Sequence, residues 1–84
     1  MKIKVTNQIV KEVEIELPAF MKSNCHFYKV ISETECIVVT DLDGWYEIAQ
    51  RHPSNAFMDG NVSSTEAEFK KAFAKVVKIF NKNL

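Results

Sequence analysis

The 84-residue chain reads as an α+β domain: an antiparallel meander of four or five strands with one C-terminal amphipathic helix packed on one face. Three observations predict this. Up to residue 52 the apolar residues fall in short alternating or β-branched runs separated by turn-forming residues. After residue 63 the pattern changes to helical spacing, with no Gly or Pro to interrupt it. A chain of this length, 46% hydrophobic, has room for a single small domain spanning 1–84.

Ile3-Lys4-Val5-Thr6 alternates apolar and polar and predicts a short strand. Asn7-Gln8 supplies a turn. Val13 to Leu17 alternates again, with Glu12, Glu14 and Glu16 on the opposite face, as expected of a strand wetted on one side. Pro18 cannot donate to a ladder and ends that strand; Ala19 to Asn24 reads as a connection. His26 to Ile31 is aromatic and β-branched, a third strand. Cys36 to Thr40 is the most apolar run and is expected at the centre of the sheet, joined to the third strand by a turn at Glu33-Thr34-Glu35. Asp43-Gly44 predicts a hairpin into a fifth strand, Trp45 to Gln50. The alternative for Trp45 to His52 is two helical turns between an Asp43 cap and Pro53; the Asp-Gly between two β-prone runs favours the strand. Arg51 to Val62 reads as irregular, with a second turn at Asp59-Gly60 and an apolar Ala56-Phe57-Met58 able to tuck against the core.

The helix opens at Ser63-Ser64-Thr65-Glu66, where Ser63 with Glu66 or Thr65 with Glu68 has capping-box spacing. Phe69, Ala72, Phe73, Val76, Val77, Ile79 and Phe80 fall within an arc of roughly 160°. Lys71, Lys75, Lys78 and Lys82 form a stripe on the other side. The arc is expected to lie on the sheet, so that Phe73→Ala costs about 3–5 kcal/mol.

The charges bound the function. Eleven Lys/Arg balance eleven Asp/Glu, but unevenly along the chain. Residues 1–63 carry six basic and nine acidic groups; residues 64–84 carry five basic and two acidic. The molecule is polarised, not generally basic, which argues against a nucleic-acid binder of the usual kind. Acidic residues in the first helical turn and lysines later are also what the helix dipole favours. No run approaches 18 apolar residues, and the N-terminus alternates instead of building the apolar core of a secretory signal. A cytoplasmic location is expected, with no membrane partner.

No cofactor-binding, metal-binding or catalytic constellation emerges. Cys25 and His26 are adjacent, and neighbours on a strand point to opposite faces, so they form no dyad. Pairing across the Glu33–Glu35 turn sets Cys36 opposite Ile31 or Ser32 and Cys25 near Leu42. The thiols then lie roughly 20 Å apart, far beyond disulfide range. Cys25, His26, Cys36 and His52 lack the close spacing of a zinc site. Asp41-Leu42-Asp43-Gly44 departs from a calcium loop, with Gly too early and Gln50 where the closing Glu belongs. Asn61-Val62-Ser63 is a chance glycosylation match. Two isolated glycines cannot build a phosphate loop. The expectation is therefore a non-enzymatic interaction module, binding a protein partner or itself through a sheet edge or uncovered face, with aromatic side chains left over to contact it. The alternative is a single-stranded nucleic-acid binder, its lysines following phosphates and its aromatics stacking on bases. Phe27, Tyr28, Trp45, Tyr46, Lys71, Lys75, Lys78 and Lys82 make up the candidate surface for both.

Overall fold

Backbone pairing among the β-prone runs builds two sheets. The computed structural model describes residues 2–6 and 12–82, with side chains from Glu16 to Lys82. Among the described residues, strands β1 (Lys2–Thr6) and β2 (Glu12–Glu16) pair only with each other, in register Ile3 with Ile15 and Val5 with Val13. The expected turn at Asn7-Gln8 lies outside the described residues. Strands β3 (Ala19–Lys22), β4 (His26–Val30), β5 (Cys36–Leu42), β6 (Trp45–Arg51) and β7 (Val62–Ser63) form an antiparallel sheet of order β6-β5-β4-β3-β7. Helix α1 (Glu66–Lys82) crosses one face.

The α+β class and the helix-on-sheet arrangement are as expected, but membership of the main sheet differs. The first two expected strands form a two-stranded sheet of their own, with β1 against a short 3₁₀ turn at Pro53–Asn55. The segment expected to be a connection supplies β3 instead. Its period is hidden because both of its faces are partly buried: Phe20 packs beneath the helix while Ala19 and Met21 pack on the other side. β5 is an interior strand beside the edge, whereas β4 holds the middle. Trp45 to Arg51 is a strand, reached through a two-residue turn in which Gly44 has φ +84°, a backbone state that costs a side chain dearly.

Strand alternation divides the core into two layers. On the helix face, Phe20, Phe27, Ile37, Val39, Tyr46 and Ile48 meet Phe69, Ala72 and Val76. On the far face, Tyr28, Val30, Cys36 and Val38 meet Ala56, with Leu17, Ala19, Met21, Ala49 and Phe57 around them. Ala56 is fully buried, so Ala56-Phe57 does tuck in, while Met58 remains exposed. This second layer covers part of the face that one helix could not.

Of the two capping pairs, Thr65 with Glu68 forms and Ser63 lies in β7. Thr65 Oγ1 accepts from the Glu68 N–H at 3.2 Å, and its carbonyl accepts from Phe69 N–H. Glu68 reaches Lys22 on β3 at 2.7 Å and receives the Ser64 hydroxyl at 3.1 Å. These bonds hold its carboxyl below the usual carboxylate range, Lys22 contributing most. Ser64 N–H also donates to Phe20 C=O, so the start of α1 is tied to β3. One expectation about the helix fails. Phe73 is 39% exposed, because it sits at the flank of the helix beyond the line of Phe69, Ala72 and Val76. Its truncation therefore costs less than a buried phenylalanine would.

Candidate functional site: the open edge of β6

The two edges of the main sheet are unequal. β7 covers β3 with two residues, whereas β6 runs for seven and, among the described residues, pairs only with β5. The ladder fixes which of its backbone groups are free. A two-residue turn makes Leu42–Trp45 a hydrogen-bonded pair, so Trp45, Glu47, Ala49 and Arg51 bond inward to β5. The N–H and C=O groups of Tyr46, Ile48 and Gln50 then point outward. The bond from Asp41 N–H to Cys25 C=O at 2.7 Å agrees, because it turns the partner of Tyr46 toward β4. Arg51 Nη1 donates to Gln50 C=O at 2.9 Å and occupies one of the outward carbonyls. The strand has no Pro and no Lys, two devices that commonly protect an exposed edge.

A groove runs along each side of this edge. On the helix face a concavity of about 330 Å³ is lined by Ile31, Glu35, Ile37, Ile48, Ala49, Gln50 and Phe73. It is mainly apolar. α1 starts at β3 and brings Phe73 over β6, so the helix travels across the strands toward the open edge. Phe80 follows two turns later on the same side of the helix, about 10 Å further along the axis, and is 39% exposed. On the far face a recess of about 240 Å³ is lined by His26, Tyr28, Val38, Thr40, Trp45, Glu47, Arg51 and Asn55. Within it His26 Nδ1 and Thr40 Oγ1 share a hydrogen bond of 2.8 Å, which satisfies the buried threonine. Glu47 and Arg51, four residues apart on one face, approach at 3.5 Å. Burial pushes the Tyr28 hydroxyl up from its ordinary range, and Asn61 partly offsets this. Trp45 is 54% exposed at the mouth.

The residues expected to form one interaction surface are dispersed. Phe27 and Tyr46 turn beneath the helix, and Tyr28 and Trp45 face the other way. The four rings therefore build no common stacking platform. Lys71 and Lys75 border a cleft with Phe27 and Asp41. Lys75 binds Asp41 at 3.1 Å, which raises its pKa. Lys78 and Lys82 are exposed further along the helix. Sequence reasoning missed Ile31, Ile48 and Arg51; the hairpin signal at Asp43-Gly44 marks β6 as a strand without saying that it is the last one.

No cluster of His, Cys, Asp or Glu among the described residues could hold a metal ion. Cys25 and Cys36 are free thiols. The observed register puts Cys36 opposite Val30 and Cys25 level with Asp41, one residue from the expected pairing at each end. Cys36 is buried, and burial pushes its thiol up to about 11. No described helix is long and apolar enough to cross a membrane. Comparison of the chain with protein-family models, with curated proteins and with solved structures returns no match.

Proposed function

We propose that this protein is a non-enzymatic interaction module that binds an extended polypeptide by strand addition at β6. The observation that carries the reading is the pattern of outward backbone groups at Tyr46, Ile48 and Gln50 along a seven-residue edge. Main-chain hydrogen bonds would supply affinity, and the two flanking grooves would receive alternate side chains of the added strand. The apolar groove by Ile48 and Phe73 suits aliphatic side chains; the recess by Trp45, Glu47 and Arg51 suits polar or charged ones. Two free thiols accord with a reducing compartment, and the cytoplasm is where we place this activity.

The test is selection from a random heptapeptide library on the immobilised protein, with the selected peptides then titrated into isotope-labelled protein. Strand addition predicts that the amides of Tyr46, Ile48 and Gln50 shift most and become protected from exchange. Peptides that map elsewhere would overturn the reading. So would a single-stranded oligonucleotide that binds in a salt-sensitive way at Lys71, Lys75, Lys78 and Lys82 while no peptide binds β6.

A further inference from the structure

Resting on the strand-addition reading, we infer that a second copy of this chain occupies the β6 edge, in an antiparallel pair centred on Ile48. The strand can be paired with itself on paper. Outward residues must face outward residues, and the twofold axes that satisfy this while pairing at least five residues of the strand fall at residue 47, 48 or 49. An axis at Glu47 sets two carboxylates directly opposite each other, which is destabilising. An axis at Ala49 sets Tyr46 opposite His52 and Trp45 opposite Pro53, both outside the strand, and leaves only residues 47–51 paired.

The axis at Ile48 uses all seven residues. Tyr46 of each copy meets Gln50 of the other, and every outward N–H and C=O of the strand finds a partner once Arg51 releases the Gln50 carbonyl. The side chains also complement. On the helix face Ile48 meets Ile48, joining the two apolar grooves. On the far face Arg51 lies opposite Trp45, an arrangement that favours a cation over an exposed ring. Glu47 lies diagonal to Arg51 of the other copy, within reach of its long side chain. The net charge of zero adds no long-range repulsion. An axis perpendicular to the sheet puts both helices on the same face of the joined sheet, where the exposed Phe73 of each copy borders the groove by Ile48.

Sedimentation velocity on the full chain, between about 1 µM and 1 mM, tests the pairing. The expected result is a dimer population that rises with concentration, and at least about a tenfold weaker dimer for Gln50→Pro, which removes an outward N–H and leaves the β5 ladder intact. Circular dichroism reports whether that variant is folded. Independently, Ile48→Cys in a Cys25→Ala background should form an intermolecular disulfide faster than Tyr46→Cys or Ala49→Cys in the same background. Fastest cross-linking at Ala49 or Tyr46 would overturn the register. A protein that stays monomeric at 1 mM would overturn the second copy as occupant; peptides that still shift the Tyr46, Ile48 and Gln50 amides would then leave strand addition standing. A dimer with those three amides unprotected would overturn the β6 seam, and the peptide titration then decides strand addition on its own.

Discussion

Truncation of Phe69 should cost far more than truncation of Phe73, although the two are spaced alike on the helix. Phe69 is 6% exposed. Its ring lies 6.0 Å from Phe20 and 6.1 Å from Phe73, and it packs against the layer containing Val39 and Ile48. A fully buried Phe→Ala change costs about 3–5 kcal/mol, so Phe69→Ala should lose about 3–4 kcal/mol. Phe73 is 39% exposed and keeps roughly three-fifths of that burial, which scales to about 2 kcal/mol. A domain of this length has a total stability of about 4–13 kcal/mol, so the first change threatens folding and the second does not. Reversible denaturation in urea at pH 7 measures both, with the slope of the transition checked for a common unfolded state. The two-layer account would be refuted if Phe73→Ala were the costlier change, or if Phe69→Ala lost under 1.5 kcal/mol.

Three further outcomes follow from the same layers. Native protein at pH 8 should react at Cys25 with a thiol reagent while Cys36 resists until unfolding; because the Cys36 pKa is raised from 9.0 to about 11, its contribution to stability is complete below pH 9 and is lost as the pH rises through about 11. Rapid native labelling of both thiols would contradict this. His26→Ala should cost about 1–3 kcal/mol by stranding the buried Thr40 hydroxyl, and more than Thr40→Val, which leaves a partly exposed His26 able to find water. Equal losses in thermal melts would count against it. Gly44→Ala should cost about 1–2 kcal/mol through backbone conformation alone, since nothing lies within 4 Å of an added Cβ. A neutral change at that position would mean that the turn relaxes.

The elements that the sequence makes legible are those where local and tertiary preferences agree. Thr65 and Glu68 mark the start of α1, and Asp43-Gly44 marks the β5–β6 turn, because capping and positive φ are local requirements. β3 is not legible, because burial on both sides erases its alternation; β7 has only two residues and carries no period. Strand order is a long-range property. Nothing in Val13 to Leu17 announces that it joins β1 in a separate sheet, and nothing in Trp45 to Arg51 announces an edge. The candidate surface suffered for the same reason. Strand alternation sets Phe27 and Tyr28, and Trp45 and Tyr46, on opposite faces, which the single expected surface overlooked; which face the helix takes is settled by the ties of Ser64 to Phe20 and Glu68 to Lys22. The lysine stripe is real as a helical feature, yet Lys75 is engaged by Asp41, a partner 34 residues away.

The open edge of β6 is tested most directly by residue-resolved amide exchange in dilute protein, where strand addition from any source is minimal. The account predicts alternation: Glu47 and Ala49 exchange slowly through their bonds to β5, and Tyr46, Ile48 and Gln50 exchange quickly and gain protection as protein concentration is raised. Uniform protection of all five amides at low concentration, or fast exchange of all five, would contradict it.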